Sequence, residues 1–330
     1  MTASPSRPNV AVIGCGYWGK NLVRNIASLG ALGAVSDANM DAARKYAAEF
    51  GARALSFDEA IAAPDIEGVV IAAPAELHAD LAGRALDAGK HVYVEKPMAL
   101  TVADGEALIA RAQQAGRVLM VGHLLQYHPA FLALLKMVRA GDLGRIQYIY
   151  SNRLNLGKIR REENVFWSFA PHDISMILAL VGELPQKVFA RGSYYLSKDV
   201  ADVTTTNMQF ANGVSGHIFV SWLHPFKEQK LVVVGENAMA VFDDRLPWHE
   251  KLTLYRHTLK WKEGTPVPTA AQGENIALAE AEPLKLECRH FLDCMASGAA
   301  ANTDGAEGLR VLKVLSAAEN SMREGCEVIL

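Results

Sequence analysis

The sequence predicts an α/β protein with a doubly wound parallel sheet at the N-terminus and a C-terminal α+β domain built on an open, mostly antiparallel sheet. Between Val10 and about Gly122, short apolar runs alternate with helical segments. This alternation is typical of a parallel sheet covered by helices. After Pro129, strand-like runs follow one another with few helices between them. That change indicates a second domain whose strands pair mainly antiparallel.

The predicted strands of the first domain are almost continuously apolar, as expected for strands that are buried on both faces. They cover residues 10–13, 32–36, a short strand near 53–55, 68–72, 91–94 and 118–121. Helices are predicted between them at residues 18–28, 40–50, 57–62, 77–88 and 102–115.

The second domain begins with a predicted helix at residues 130–140 and then consists mainly of strands. The strands are expected at 146–153, 187–195, 204–210, 214–222, 230–235 and 239–243, with a hairpin turn at Ala211-Asn212-Gly213. One helix, 171–181, interrupts them and ends before Gly182, and two late helices are expected near 279–296 and 305–322. Residues 263–275, rich in Pro, Thr and Gly, are interpreted as a surface loop or lid.

These patterns set the predicted domain boundaries. Residues 1–8 are expected to form a flexible tail. Residues 9–124 are expected to form the first domain and residues 125–330 the second, whose last helix is expected to pack back on the first domain. The tail lacks the apolar core of a signal peptide, and no segment approaches the ~18 consecutive apolar residues of a membrane span. We therefore expect a cytoplasmic protein.

Charge and cysteine content exclude several classes of function. The net charge is −3 and no basic block is present, so nothing favours nucleic acid or an anionic membrane as a partner. The four cysteines, at positions 15, 288, 294 and 326, have neither metal-ligand spacing nor a convincing disulfide pattern. The sequence predicts no metal site.

A Gly-x-Gly-x-x-Gly motif follows the first strand directly. Gly14 permits a tight turn, Gly16 allows close approach of a pyrophosphate, and Gly19 allows helix and strand to pack closely. Asp37 ends the second strand, at about the ~20-residue distance expected for an acid that binds a ribose diol. Its carboxylate would repel a 2′-phosphate, so the motif predicts NAD rather than NADP; the alternative is an acid that caps the next helix.

Several segments together resemble the glucose–fructose oxidoreductase / inositol dehydrogenase (Gfo/Idh/MocA) family. They are the glycine motif, Ala73-Pro74-Ala75-Glu76-Leu77-His78, Gly89-Lys90-His91-Val92-Tyr93-Val94-Glu95-Lys96-Pro97, the helix with His172, Val234-Gly235-Glu236-Asn237, and Thr303-Asp304-Gly305-Ala306-Glu307-Gly308. The resemblance implies a Rossmann domain followed by a mainly antiparallel domain. It implies hydride transfer at a carbohydrate or cyclitol carbinol without a metal, in a homodimer or homotetramer formed through the C-terminal sheet. The cofactor-binding residues that it implies, besides the three glycines and Asp37, are Tyr17, Trp18, Ala73, Pro74, His78, Glu95 and Lys96.

Lys96 is the first predicted catalytic residue. It follows the fifth strand at the carboxyl edge of the sheet, where ligands of such sheets bind, and its ammonium can stabilise alkoxide character on a substrate oxygen. Pro97 stiffens the loop, and in the resembling family the bond before it is often cis. Glu95 is expected to place the cofactor or Lys96. The alternative for Lys96 is a solvated surface lysine, and the alternative for Glu95 is a salt bridge at the end of the strand.

His172 is the predicted general base, because a neutral imidazole can accept a proton near pH 7. Pro171 suits the first position of a helix, so we expect His172 in the first turn, where the helix dipole favours the neutral ring. Many relatives carry Asp four residues earlier, whereas this chain has Ser168. Asp173 points about 100° away round the helix and is expected to contact substrate, to act as a cap or to pair elsewhere. A structural histidine is the alternative.

The segment 153–167 mixes cationic, amide and aromatic side chains, which suits a polyhydroxylated and phosphorylated ligand. From it, Arg153, Arg160, Asn164 and Trp167 are predicted to bind substrate; the alternative is a solvated linker. His123 and Tyr127, after the sixth strand, are further candidates for substrate binding and the alternative bases. His78 is expected near the nicotinamide ribose, or as a helix-start residue that packs on the loop.

The sequence therefore predicts an NAD-dependent dehydrogenase or ketoreductase that acts on a sugar, with a nucleotide-linked sugar or a cyclitol as the substrate. Two alternatives stay open. One is a dehydrogenase of free inositol or a monosaccharide. The other is a non-catalytic NAD-binding regulator of the same fold, which Ser168 in place of Asp keeps under consideration.

Overall fold

The computed structural model describes residues 8–157 and 159–330. The predicted tail, residues 1–8, therefore lies outside the described residues except for Pro8. The chain divides into two compact units. The first unit contains the chain up to Tyr127 together with Glu282–Leu312, and the second contains His128–Ala281 and Lys313–Leu330. No helix within the described ranges is long and apolar enough to cross a membrane.

The first unit is built on a six-stranded parallel sheet, which confirms the predicted Rossmann-type fold. Its spatial order is β3-β2-β1-β4-β5-β6. Successive strands are therefore added on one side of β1 up to β3 and on its other side from β4 onward, so the strand order switches between β1 and β4. Ligands of such sheets bind at the carboxyl ends of the strands beside this point. The strands are β1 Val10–Ile13, β2 Leu32–Ser36, β3 Arg53–Ala54, β4 Gly68–Ile71, β5 His91–Glu95 and β6 Leu119–Gly122.

Five helices connect these strands and cover both faces of the sheet. They are α1 Gly19–Ser28, α2 Met40–Phe50, α3 Phe57–Ala62, α4 His78–Asp87 and α5 Val102–Ala115. Alternate residues of one strand enter different cores: Val10 and Val12 pack in one apolar cluster, and Ala11 and Ile13 in the other. Burial on both faces explains why the strands are continuously apolar in the sequence.

The second unit contains a nine-stranded sheet of the order β16-β13-β12-β11-β7-β10-β9-β8-β17. Among the described residues of this sheet, β7 and β10 are the one strand pair that runs parallel, so the predicted mostly antiparallel sheet is confirmed. The turn at 211–213 joins β9 and β10 as predicted. The elements are α6 Pro129–Ala140, β7 Ile146–Leu154, α7 Val165–Val181, β8 Lys187–Ser193, β9 Val203–Gln209, β10 Ser215–Ser221, β11 Glu228–Gly235, β12 Met239–Asp243, β13 Leu252–Tyr255, β14 Thr258–Lys262, β15 Thr265–Thr269, β16 Gly273–Asn275 and, near the C-terminus, β17 Val328–Ile329.

The prediction of a loop at 263–275 is wrong. β14 and β15 form a separate antiparallel hairpin, and β16 pairs with β13 at the edge of the large sheet. Cross-strand pairs of the hairpin join Trp261 to Pro266 and Leu259 to Pro268. Proline content suggested a loop, but proline is tolerated at the edge of a sheet.

The two late helices are α8 Pro283–Ser297 and α9 Gly305–Glu324. The apolar side of α8 packs into a core of the first unit, where Phe291 contacts Tyr93 edge to face with ring centroids 5.9 Å apart. α9 begins in the first unit and ends in the second.

Candidate active site

The glycine motif forms a tight turn between β1 and α1. Gly14 has a φ of +90°, and a Cβ on it would lie 2.7 Å from the carbonyl oxygen of Ala72. A Cβ on Gly19 would lie 1.9 Å from the carbonyl oxygen of Gly14, whereas one on Gly16 would meet nothing within 4 Å. Two glycines are therefore required by packing, and Gly16 leaves open space for an incoming ligand. The cap residue Trp18 makes no side-chain bond to the first amides of α1, which suits anion binding at this helix end.

Asp37 lies at the end of β2 and is held by backbone amides. One carboxylate oxygen accepts the amide of Cys15 at 2.8 Å, and the other accepts the amide of Asn39 at 2.8 Å. Burial alone would raise the pKa of Asp37, but these amide bonds outweigh it and hold the pKa below its usual value. The side chain is therefore a carboxylate at neutral pH. Its Oδ2 also accepts the Cys15 thiol at 3.3 Å, whereas Oδ1 keeps a further lone pair for a ribose hydroxyl.

Trp18 and Tyr17 present aromatic rings on the phosphate loop. Tyr17 is 85% exposed. The Trp18 indole donates a hydrogen bond of 2.6 Å to Glu95 at the end of β5. The loop after β1 is thereby linked to the strand that precedes Lys96. The glycine loop, the carboxylate of Asp37 and the polar side chain of Glu95 at the end of β5 together fit a dinucleotide.

Glu95 belongs to a buried acidic cluster. The Tyr93 hydroxyl donates to Glu95 at 3.1 Å and also interacts with Glu287 of α8. Glu287 has no exposed surface, and within the described residues neither of its carboxyl oxygens has a partner at hydrogen-bond distance. Burial raises the pKa of Glu95, against the opposing effect of Trp18 and Lys96. Burial and the nearby Glu95 also raise the pKa of Glu287, well above its usual value, which favours the protonated carboxyl.

Lys96 is half-buried directly after β5. Its backbone amide donates to Glu95 at 3.3 Å, and the Lys96–Pro97 peptide bond is cis, as the resemblance implied. Ala73 and Pro74 follow β4, the neighbouring parallel strand. The topology therefore brings these predicted residues to one edge of the sheet.

The prediction that Pro171 opens the helix carrying His172 is wrong. α7 begins at Val165 with Asn164 as its N-cap, and Pro171 lies inside it. The Asn164 side chain accepts hydrogen bonds from the amides of Phe166 and Trp167. The helix therefore begins six residues before the predicted start at Pro171. His172 is half-buried about two turns from the helix start. Because the dipole effect is confined to the first turn, it gives no reason for a neutral ring here.

Asp173, next to His172 on α7, is buried in a charge pair. Its carboxylate lies 2.7 Å from Nε of Arg153 and accepts the Ser151 hydroxyl at 2.6 Å. Arg153 and Asp173 thus satisfy each other inside the second unit. Ser168, four residues before His172, is also buried. The predicted contacts of Arg153 and Asp173 with substrate stay predictions, and their side chains already have internal roles.

Two further predicted substrate residues meet at Glu319 of α9. The Asn164 side-chain amide and the Trp167 indole both donate to its Oε2, at 2.8 and 3.0 Å. Arg160 is exposed and pairs with Glu163 at 3.0 Å. Of the predicted cationic set, Arg160 is therefore the side chain that lies at the surface.

His123 and Tyr127 are buried in the first unit. Nδ1 of His123 contacts the carboxylate of Glu307, and the Tyr127 hydroxyl lies 3.0 Å from that of Thr303. Burial raises the pKa of Tyr127 well above its usual value, so its phenolate is not available as a base at neutral pH. The role of His123 as an alternative base stays a prediction.

The sequence analysis missed three residues that organise these surroundings: Tyr93, Glu287 and Glu319. A signal existed for Glu287, because it falls on the apolar stripe of α8 between Leu284 and Phe291. A charged residue on a buried helix stripe indicates a special role. Within the described residues no cluster of three or more His, Cys, Asp or Glu is arranged to hold a metal ion.

Comparison with known proteins adds two family matches. A family model described as an oxidoreductase family with an NAD-binding Rossmann fold matches residues 8–123, and the GFO/IDH/MocA C-terminal domain matches residues 131–241. Together these matches cover more than half of the chain.

Individual relatives match nearly the whole length. UDP-N-acetylglucosamine 3-dehydrogenase of Acidithiobacillus ferrooxidans is 29% identical over 302 residues, which cover 91% of this chain and 93% of the relative. The scyllo-inositol 2-dehydrogenase (NAD(+)) of Bacillus subtilis is 25% identical over 337 residues, 97% of this chain and 95% of the relative.

A solved structure of the Acidithiobacillus enzyme, GnnA, superposes with a TM-score of 0.85 at 28% identity and covers 96% of this chain and 97% of its own. Levoglucosan dehydrogenase, solved with NADH and levoglucosan, shows the same fold with a TM-score of 0.83 at 24% identity, over 98% of this chain and 99% of its own. Since both halves match the family models in the expected order, the chain belongs to the GFO/IDH/MocA family of oxidoreductases.

Proposed function

We propose that the protein is an NAD-dependent dehydrogenase that oxidises a secondary alcohol of a nucleotide-linked sugar, or reduces the corresponding ketone. The observation that carries the proposal is the similarity to a UDP-N-acetylglucosamine 3-dehydrogenase over 91% of the chain. The glycine loop, the ionised Asp37 and the Glu95-Lys96-Pro97 segment at the carboxyl edge of the sheet support it. Bound NAD supplies the hydride acceptor for such a reaction.

Asp37 favours NAD over NADP in this proposal. A carboxylate at the end of β2 accepts hydrogen bonds from both ribose hydroxyls, and it repels a 2′-phosphate. The amides of Cys15 and Asn39 keep the side chain ionised and in one orientation. Gly16, Tyr17 and Trp18 would line the pyrophosphate side of the same site.

Lys96 and His172 act on the hydroxyl group of the substrate in this proposal. Lys96 donates a hydrogen bond to the reacting oxygen and stabilises its alkoxide character, and His172 accepts the hydroxyl proton. The position of Lys96 after β5 supports the first role. The resemblance of this helix to the family's histidine-bearing helix supports the second, since a neutral imidazole can accept a proton near pH 7.

A free cyclitol is the second candidate substrate. The match to scyllo-inositol 2-dehydrogenase covers 97% of the chain, and Arg153, the most buried of the predicted phosphate ligands, is paired with Asp173. A cyclitol needs no phosphate ligand.

A homodimer or homotetramer formed through the nine-stranded sheet is part of the proposal and is measured by light scattering.

The experiment is a substrate screen with the purified protein and NAD. Absorbance of the reduced nicotinamide is followed with UDP-N-acetylglucosamine, other UDP-sugars and scyllo-inositol. We expect turnover with a UDP-sugar, and a loss of about a hundredfold or more in rate for Lys96→Ala, the scale of one catalytic donor. For His172→Gln we expect a low rate without the imidazole-like rise with pH.

Three outcomes decide between the candidates. Turnover of scyllo-inositol alone favours the cyclitol. Binding of NAD without turnover of any compound in the screen contradicts the enzyme proposal and favours a non-catalytic NAD-binding regulator. A Lys96→Ala variant with an unchanged rate and a raised KM would assign Lys96 to substrate binding.

A further inference from the structure

His78 connects the loops that follow two neighbouring strands. It is the first residue of α4 and is 2% exposed. Its Nε2 lies 2.8 Å from the carbonyl oxygen of Ala73, after β4, and its Nδ1 lies 2.7 Å from the carbonyl oxygen of Pro97, after β5. β4 and β5 pair in parallel, so both loops leave the same edge of the sheet. One imidazole ring therefore contacts both loops.

The chemistry of these contacts makes the ring the donor. A carbonyl oxygen only accepts, so each contact is a hydrogen bond when the nitrogen facing it carries a proton. The ring carries at least one such proton in every protonation state. Because the ring is buried, water cannot replace a lost donor, and an unsatisfied carbonyl there is costly.

We propose that His78 is a positioning residue for Lys96. It holds the carbonyl of Pro97, one residue beyond Lys96, and so fixes the direction in which the lysine side chain leaves the strand. The proposal rests on the proposed catalytic role of Lys96. It also assigns His78 a different role from the contact with the nicotinamide ribose expected from the sequence, because both ring nitrogens face backbone oxygens.

The chain offers a matched control in His91. It is also buried and belongs to β5, but it begins the strand, at the opposite edge of the sheet. Its Nδ1 accepts the amide of Val118 at 3.0 Å, and its Nε2 lies 3.2 Å from Nη1 of Arg117. Replacing His91 removes a buried imidazole of equal size without touching either loop that His78 holds.

The test compares His78→Leu, His78→Gln and His91→Leu with the unchanged protein. Amide hydrogen exchange of the cofactor-free protein is measured by mass spectrometry over residues 71–75 and 95–99. We expect faster exchange in both segments for His78→Leu, smaller changes for His78→Gln, which retains N–H donors, and no change there for His91→Leu. Exchange near 117–119 serves as the internal control, and we expect it to rise only in His91→Leu.

Kinetics provide the second readout. For His78→Leu we expect kcat to fall by about ten- to a hundredfold, the scale of a misplaced catalytic group, with KM for both substrates changed by less than about threefold. His78→Gln recovers part of kcat, and His91→Leu retains it.

The outcomes separate this inference from the proposed function. Unchanged exchange in both segments for His78→Leu, or an equal loss of kcat in His91→Leu, overturns the positioning role. If His78→Leu does not fold, the same comparison is made with His78→Gln, and unchanged exchange again overturns it. Normal kcat in Lys96→Ala instead contradicts the proposed role of Lys96, whereas the exchange measurement still decides whether His78 holds the loops.

Discussion

Two acids, Glu287 in the first unit and Asp244 in the second, have pKa values shifted in opposite directions. Burial and the nearby acids Glu95 and Glu307 raise the pKa of Glu287 well above its usual value, against the weaker effect of Tyr93. Burial alone would also raise the pKa of Asp244, but His128 and Lys251 outweigh it and lower the pKa to about 2. Lys251 lies 2.8 Å from its carboxylate.

The comparison shows that burial raises the pKa of both acids, and that the sign of the neighbouring charges decides whether this rise persists. In the second unit, the buried carboxylate of Asp173 is balanced by the Arg153 cation. The first unit keeps Glu287 neutral and surrounds the charged Asp37 with amides. A buried pair tolerates the loss of both partners far better than the loss of one, whereas a neutral acid has no charge to compensate.

Removing the cation of the Arg153–Asp173 pair gives the largest expected effect. Arg153→Met leaves Asp173 buried and unpaired, so we expect the free energy of unfolding to fall by about 3–5 kcal/mol. Arg153→Met/Asp173→Leu removes both charges and recovers most of this loss. Urea denaturation of the single and double variants measures both. A single variant within about 1 kcal/mol of the unchanged protein would contradict the pairing.

Glu287→Gln tests the neutral acid through the pH dependence of stability. A raised pKa in the folded state means that Glu287 stabilises the protein fully below its unfolded pKa, near 4.5, and that this contribution is lost as the pH rises through the folded pKa. Relative to Glu287→Gln, the unchanged protein therefore loses up to about 1.4 kcal/mol per pH unit in that window. Thermal unfolding across this pH range provides the measurement.

Asp244→Asn is the matched control, because the pKa of Asp244 is shifted in the opposite direction to that of Glu287. The lowered pKa of Asp244 stabilises the protein above its unfolded value of 3.8, and this contribution is lost as the pH falls toward about 2. The difference between the unchanged protein and Asp244→Asn should therefore vary only on the acid side. Two variants with the same pH dependence would remove the contrast between Glu287 and Asp244.

Asp37→Ala tests whether the carboxylate of Asp37, which accepts hydrogen bonds from two backbone amides, sets the preference for NAD over NADP. Loss of a charged acceptor costs about 1.5–3 kcal/mol, so we expect preference for NAD over NADP to fall by about tenfold or more. Asp37→Asn removes the charge at constant side-chain size and keeps one acceptor oxygen, which can serve the amide of either Cys15 or Asn39. Titration of both cofactors is the measurement. Equal affinity of the unchanged protein for the two would contradict the assignment.

Asn164→Ala gives the smallest expected effect. Glu319 in the second unit accepts hydrogen bonds from the neutral donors of Asn164 and Trp167. The substitution removes the N-cap of α7, which costs about 1 kcal/mol. Chemical denaturation measures the loss. Asn164→Ser keeps a capping oxygen and should restore most of it; an equal loss in both variants would instead assign the effect to Glu319.

The first unit was predictable from sequence because its site residues follow from topology. Once strands and helices alternate, the residues after β1, β2 and β5 must reach one edge of the sheet. Asp37 and Lys96 lie there, and the glycine spacing restricts the turn before α1 to one geometry. None of these placements depends on a long-range side-chain contact.

The second unit was less predictable because its polar residues find partners that are distant in sequence. Asp173 pairs with Arg153, twenty positions earlier, and Asn164 bonds to Glu319, 155 positions later. The helix start at Val165 depends on Asn164, which the sequence analysis interpreted as a substrate ligand. A lone proline suggested a helix start, although proline is compatible with a helix interior when packing compensates the lost hydrogen bond.

The link between Trp18 and Glu95 also has an optical consequence. Trp18 is the one tryptophan in the sequence of the first unit, and its indole hydrogen-bonds to a carboxyl beside the proposed hydride-transfer centre. We therefore expect its emission to respond to changes in the polarity of the phosphate loop. The difference between the unchanged protein and Trp18→Phe isolates this signal, so the fold carries its own fluorescent reporter of cofactor arrival.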